Sequence, residues 1–254
     1  MGQPNRRAVR RGGCAALLAA GLLLGTTACG ADDGARPVTL AEAQRLSLAR
    51  LSVYESGPAA VRLRVPVADT DISVEAVVDY AAHRASGSYR ALGHEGRLAW
   101  DTAAVSVSPG EASARAGGRI RWSHRSYTHD PLDRALRLVL ALGSDHPENA
   151  QLLARSGPKW LGEDRIGRRA YTRFAGPRPA RPSVGLGRRA PEPSGPADPA
   201  APPVTYWVDG TGSLGRVEAR LMGAGEEATT VDFTGRRAPL PPGPWPSPVA
   251  APSG

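Results

Sequence analysis

The stretch that decides the fold is Val61–Tyr80, which reads VRLRVPVADTDISVEAVVDY. Apolar residues take alternate positions on both sides of a polar turn, and the positions between them hold mostly arginine, serine, glutamate and aspartate. A period of two is typical of β-strands that bury one face and expose the other to water. Because a parallel crossover needs a dozen or more residues, we expect these two strands to pair antiparallel.

The same alternation recurs along the chain between turns rich in glycine and proline. It predicts strands over 87–92 and 97–107, a hairpin over 160–164 and 170–174, and a closing meander over 204–208, 214–221 and 229–233. The first turn of the meander is Asp209-Gly210-Thr211-Gly212, whose residue types favour a turn between strands.

Helices precede and interrupt the strands. Thr39-Leu40-Ala41-Glu42 is a capping box that opens a helix to about Glu55. A shorter helix is predicted over 147–155.

The second helix of the chain carries the clearest local signal. We expect Asp130 to cap it, with Pro131 at its first position, Asp133 completing the box and Gly143 ending it. Its apolar stripe comprises Leu132, Ala135, Leu136, Val139, Leu140 and Leu142.

The order of elements is one helix, about four strands, two helices and about five strands. This order predicts an α+β fold with a single antiparallel sheet. A sheet of that size curls as it twists, so we expect a concave side lined by apolar positions, which the three helices are available to cover.

The N-terminus reads as a leader and an anchor site. Residues 1–28 combine a basic start with an apolar run too short to span a bilayer, as in a secretory signal peptide. The next residues resemble a bacterial lipobox, in which Cys29 receives the acyl chains. Thr26 stands where such motifs usually have leucine, so ordinary cleavage near Ala28 or Gly30 stays an alternative.

The rest of the chain divides by composition. Residues 29–38 form a tether and residues 39–237 a folded domain. Within that domain, 176–203 hold 13 glycines and prolines in 28 positions, and the tail 238–254 holds 9 in 17. Both tracts carry too little apolar surface to order themselves, so we expect a disordered insert and a disordered tail.

Charge and cysteine content exclude several functions. The formal charge is +8, and it falls to +4 once the four arginines of the leader are removed. The remaining arginines are scattered rather than aligned, which argues against a nucleic-acid partner. Cys14 leaves with the leader and Cys29 is the acylation site, so the mature domain has no thiol for a disulfide, a metal or a nucleophile.

Polar clusters do not form a catalytic pattern. Residues 122–130 offer two histidines, a serine and an acid, but their spacing matches neither a zinc site nor a nucleophile elbow. His146 lies among helix-starting acids, and the glycines at 210 and 212 join strands rather than cradle a phosphate. We therefore expect no enzyme activity, no cofactor and no metal.

Three blocks carry a family likeness. They are the stretches 130–136, 142–153 and 160–164, followed near the end by Tyr206-Trp207-Val208-Asp209-Gly210-Thr211-Gly212 with Arg216-Val217. Together, behind a lipobox, they resemble the LolA-like superfamily, which includes LolA, LolB and the LppX/LprAFG lipoproteins. The likeness is greatest to uncharacterised LolA-like lipoproteins of actinobacteria, and it covers about 38–237. The resemblance implies a half-barrel with helices packed on its concave face. It also implies a hydrophobic cavity between sheet and helices, which holds acyl chains in better-known members of the superfamily.

The expected function follows from the predicted localisation and from this likeness. We expect a monomeric lipoprotein on the extracytoplasmic face of the cell membrane, anchored through acyl chains on Cys29 and binding a lipid or another apolar ligand. The expected cavity walls are Val61, Leu63, Val65, Leu136, Val139 and Leu140. The alternative is a non-enzymatic interaction or sensor module with a solid interior, whose partner is an envelope or membrane regulatory protein.

Overall fold

The computed structural model describes residues 34–68, 70–110, 120–155, 157–176, 204–221 and 227–245. These residues form three helices, α1 (Leu40–Glu55), α2 (Pro131–Ala141) and α3 (Ala150–Arg155). They also form twelve strands: β1 (Arg36–Pro37), β2 (Ala59–Val67), β3 (Thr70–Asp79), β4 (Arg84–Ala91), β5 (His94–Asp101), β6 (Ala104–Pro109), β7 (Ser123–Ser126), β8 (Lys159–Ile166), β9 (Arg169–Ala175), β10 (Val204–Val208), β11 (Leu214–Ala219) and β12 (Thr229–Arg237).

All twelve strands belong to one antiparallel sheet in the order β1-β8-β9-β10-β11-β12-β2-β3-β4-β5-β6-β7. The pairing of β12 with β2 joins the two halves of the chain and places Val231 opposite Leu63. The sheet does not close into a barrel, and the predicted α+β fold with one curved antiparallel sheet is confirmed.

The register sorts side chains onto two faces. Leu63 pairs with Val74 and belongs to the core under the helices, so we call this side the helix face. Arg62 pairs with Glu75 on the opposite side, the outer face, where the two side chains form an exposed ion pair at 3.1 Å. The alternation in the sequence therefore reports the two faces correctly.

The capping box of α1 is confirmed and extends to β1. Glu42 donates from its backbone nitrogen to Thr39 Oγ1 at 3.3 Å, and its carboxylate accepts from the Thr39 nitrogen at 2.8 Å. Arg36 donates two further hydrogen bonds to this carboxylate, at 2.8 and 2.7 Å. These bonds lower the pKa of Glu42 to about 2 despite its burial, and they fix the start of α1 against the sheet.

The start of α2 differs from the expectation. Asp130 occupies the N-cap position, but its side chain makes no capping hydrogen bond and instead accepts from Thr128 Oγ1 at 2.7 Å. The fully buried carboxylate of Asp133 accepts from the Thr128 nitrogen at 2.6 Å and from Arg125 at 2.6 and 2.7 Å. The predicted side-chain cap is therefore wrong, because the helix start is held through Asp133.

The sheet has more strands than the sequence predicts. The single strand expected over 97–107 is two strands, because Asp101 Oδ1 accepts from the backbone nitrogens of Ala103 and Ala104, at 2.8 and 2.9 Å, and closes a turn. Strands β1 and β7 are short and polar, and an apolar period of two does not reveal such segments.

Some expectations fall on other residues. Residues 1–28, Cys29, most of the insert and residues 246–254 lie outside the described ranges. The insert joins two hydrogen-bonded ends, since the Gly176 nitrogen donates to the Val204 carbonyl at 2.8 Å. Among the described helices, none is long and apolar enough to cross a membrane.

Candidate functional site

The predicted cavity walls do come together. Val61, Leu63 and Val65 on β2 belong to the same core cluster as Leu136, Val139 and Leu140 on α2. The exposure of these six side chains does not exceed 8%. A side chain beside a void that admits water keeps accessible surface, so values near zero mean contact on all sides. The space between β2 and α2 is closed in this structure, and its use as a cavity stays a prediction.

Polar contacts at the margins of the space between β2 and α2 hold α2 on the sheet. The indole nitrogen of Trp100 on β5 donates to the Leu136 carbonyl at 3.1 Å inside the core. The Arg137 guanidinium lies 4.4 Å from the centre of the Tyr127 ring, and the Tyr127 hydroxyl donates to the Asp101 carbonyl at 2.6 Å. With the Arg125–Asp133 pair, these contacts secure the helix at both its start and its middle.

The Tyr80 hydroxyl is one of several buried side-chain polar atoms without a hydrogen-bond partner among the described residues. The Tyr80 side chain is buried, and its hydroxyl has no hydrogen-bond partner in the described part of the chain. Burial raises the pKa of this phenol. A Cβ at position 143 would overlap the Tyr80 ring, so this contact requires glycine at the position that follows α2. An unpaired buried hydroxyl costs about 1–3 kcal/mol and therefore calls for an explanation.

The outer face carries an open cleft that the sequence does not predict. Its volume is about 880 Å³, and its floor runs across β12, β2, β3, β4 and β5. Ile166 and Tyr171 of the β8–β9 hairpin line one side, and Pro241 lines the other. Tyr171 crosses β11 closely at Gly215, where a Cβ would overlap its ring. We call this space the outer-face cleft.

Most charges of the outer-face cleft are neutralised in pairs. Arg62 pairs with Glu75 at 3.1 Å, and Arg216 pairs with Asp232 at 2.6 Å. Arg97 also lines the cleft and has no ionic partner among the described residues. The cleft therefore combines apolar walls, serine hydroxyls at 86 and 88, and one uncompensated positive charge.

Pro241, which lines the second wall of the cleft, belongs to a segment that follows β12. Residues 238–245, which we call the strap, run from β12 toward β5, and the Pro242 carbonyl accepts from Ser86 Oγ at 3.2 Å. Trp245 donates from its indole nitrogen to Asp101 Oδ2 at 3.3 Å. The composition of 238–254 does not predict these contacts. The partners of the strap, Ser86 and Asp101, lie on strands that are far away in the sequence.

The polar stretch 122–130 is used structurally. Ser106 Oγ lies 2.8 Å from His124 Nδ1, and Ser106 is only 4% exposed. His146 Nδ1 contacts Asp145 at 2.6 Å on the surface. The described residues contain no group of three or more histidine, cysteine or acidic side chains placed to hold a metal ion.

The turn after β10 is confirmed as a turn. Asp209 Oδ1 accepts from the backbone nitrogens of Thr211 and Ser213, both at 2.9 Å, so the glycines join two strands. Sequence reasoning missed the outer-face cleft because its floor depends on the β12–β2 pairing. The only local signal was the charged and small residues at the wet positions of each strand.

Comparison with known proteins adds no relative. The chain matches no protein-family model and has no significant match among curated proteins. The resemblance to the LolA-like superfamily therefore stays a prediction.

Proposed function

We propose that this chain is a lipid-anchored, extracytoplasmic interaction module without enzymatic activity, and that its protein partner binds the outer-face cleft. The observation that supports this choice is the contrast between the two faces. The six apolar side chains between β2 and α2 are at most 8% exposed, whereas the outer face holds an open cleft of about 880 Å³. Binding sites are usually preformed and concave, and the outer-face cleft has that form.

The lining of the cleft fits a polypeptide better than an acyl chain. Apolar side chains such as Ile166 and Tyr171 stand beside serine hydroxyls and paired charges. Protein interfaces combine such an apolar centre with a polar rim, whereas an acyl chain gains little beside exposed ion pairs. The free Arg97 would pair with an acidic group of the partner and help to orient it.

The anchor would place this surface near the membrane. Acyl chains on Cys29 would hold the chain at the extracytoplasmic face, and only a short tether separates that residue from β1 at Arg36–Pro37. Two or more acyl chains give durable attachment. A monomer held in this way would meet partners that lie in or on the same membrane.

A second candidate is binding of a lipid or another apolar ligand between the sheet and α2. The unpaired hydroxyl of Tyr80 favours it, because this buried group could bond to a polar atom of an entering ligand. Entry would require α2 to leave the sheet and break the Trp100–Leu136 and Arg125–Asp133 contacts. Because of this requirement, we rank binding of an apolar ligand below the interaction module as the function of this chain.

A photo-crosslinking experiment tests the proposed function. A crosslinking amino acid replaces Ser88, which is exposed and lines the cleft, and in a control variant it replaces Gln151, which is exposed on α3. In cells that produce the full chain, we expect a discrete protein adduct from position 88 that Arg97→Glu abolishes. The proposal fails if position 88 yields no protein adduct, or if positions 88 and 151 yield the same adducts.

A further inference from the structure

The strap follows a defined path across four strands. It begins where the Ala238 nitrogen donates to the Pro58 carbonyl at 3.4 Å, just before β2. It crosses β4 where Ser86 Oγ donates to the Pro242 carbonyl at 3.2 Å. It ends at Trp245, whose ring centre lies 5.3 Å from the Arg84 guanidinium carbon. The strap thus binds the outer face through two of its backbone groups and one aromatic anchor.

The surface beneath the strap is a row of small side chains. The register aligns Ala60 with Val77, Val77 with Ser86, and Ser86 with Ala99 across β2, β3, β4 and β5. Ser86 is 1% exposed and Ala99 is fully buried. Such a row lets another backbone approach closely. A proline-rich chain suits it, because proline has no N–H group that burial would leave unsatisfied and loses little entropy on binding.

The Asp101 side of the tryptophan site is fixed by the sheet itself, without the strap. Asp101 uses Oδ1 to hold the β5–β6 turn through Ala103 and Ala104, which leaves Oδ2 directed to the indole nitrogen of Trp245. Arg84 is the cross-strand partner of Asp101 and lies over the indole ring. A hydrogen-bond acceptor for the indole nitrogen and a cation for the ring face are the two groups that recognise tryptophan.

We propose that this row, from Ala60 to Ala99 with Arg84 and Asp101 at its end, is a recognition site for extended proline-rich segments that carry a tryptophan. In the free chain its own strap fills the site, and a partner's segment of the same chemistry replaces the strap. The inference rests on the proposed interaction function and specifies the partner. Since the strap is tethered directly to β12, it competes at a high effective concentration.

Peptide binding to the full-length chain in detergent tests the proposal. The probe is a labelled synthetic peptide of residues 238–247, APLPPGPWPS, and the receptors are the wild-type chain and Trp245→Ala. We expect Trp245→Ala to bind the peptide at least tenfold more tightly than wild type, because its weakened strap leaves the site vacant more often. A peptide with alanine in place of tryptophan should not bind.

A second receptor separates the site from non-specific binding. In the Trp245→Ala chain, Asp101→Asn should reduce peptide affinity several-fold, whereas Asp79→Asn, an acidic neighbour on β3 in the same cross-strand row, should not. Circular dichroism confirms that each receptor is folded. Equal binding by wild type and Trp245→Ala, or no binding by folded Trp245→Ala, would overturn the proposal.

Three outcomes keep this proposal separate from others. A wild-type dimer that forms with rising concentration and is lost in Trp245→Ala would mean that the strap is exchanged between copies, which contradicts filling by the chain's own strap. If peptide binding fails but position 88 still crosslinks a partner, the strap site is wrong and the proposed function stands. If position 88 crosslinks nothing while the peptide binds as expected, the outer-face cleft is wrong and the strap site stands.

Discussion

The indole nitrogen of Trp100 on β5 donates a hydrogen bond to the backbone carbonyl of Leu136 in α2, at 3.1 Å and out of contact with water. Trp100 is 1% exposed and Leu136 is fully buried. This bond joins the sheet to α2 at Leu136, which is one of the six residues predicted to line a ligand cavity. It fixes α2 in the position that closes the interior.

Replacement of Trp100 by phenylalanine should destabilise the fold by about 1–3 kcal/mol, through loss of the hydrogen bond and of part of the packed ring. Urea unfolding of the full chain measures the change. Trp122→Phe is the matched control, because Trp122 is only half-buried, and it should change the free energy of unfolding by less than about 0.5 kcal/mol. Equal effects of the two variants would contradict the role assigned to Trp100.

Acid should weaken the fold through Glu42. Hydrogen bonds from Arg36 lower the pKa of this carboxyl from 4.5 to about 2. A lowered native pKa contributes stability that is complete above the unfolded value and is lost as the pH falls from about 4.5 to about 2. Glu42→Gln should therefore reduce the slope of unfolding free energy against pH in that window and leave the slope above pH 6 unchanged. An unchanged slope at acid pH would exclude this pair as a source of the pH dependence.

Much of the architecture could be predicted from local sequence. The alternation over Val61–Tyr80, the Thr39–Glu42 box and the Asp209 turn report contacts between residues close in the chain. Asp101 was missed, because one acidic residue that closes a turn leaves no period to detect. Asp133 was misassigned, because its bonds to Arg125 and Thr128 depend on the path of the chain between β7 and α2.

The candidate site could be predicted only in part. The residues grouped around Leu63 and Leu136 do meet, but an apolar stripe looks the same whether it lines a cavity or packs a core. The contacts of the strap could not be predicted, because its composition indicates only a disordered tail and its partners Ser86 and Asp101 lie more than 140 positions away.

Most of the insert should be dispensable. Because Gly176 and Val204 are joined by a backbone hydrogen bond, a short turn in place of 177–203 should preserve the pairing of β9 with β10. A shorter loop also costs slightly less entropy to close, so the free energy of unfolding should change by less than about 1 kcal/mol. Urea unfolding checks this, and a loss of several kcal/mol would mean that the insert belongs to the folded structure.

Cys29→Ala should detach the chain from the membrane. Without acyl chains the chain loses its only expected anchor, so it should be released into the medium or accumulate as the unprocessed precursor. Cell fractionation and intact mass distinguish these forms. If the variant remained membrane-bound with the mass of the wild type, acylation at Cys29 would be wrong.

We propose that the space between β2 and α2 is a solid core and that binding occurs on the outer face. Native mass spectrometry of the purified wild-type and Leu136→Trp chains, before and after incubation with phospholipid, tests this proposal. We expect no stoichiometric lipid on either chain, and a loss of about 1–3 kcal/mol in the free energy of unfolding of Leu136→Trp because the core is overpacked. One lipid per wild-type chain, absent from a Leu136→Trp variant of unchanged stability, would instead establish a ligand cavity under α2.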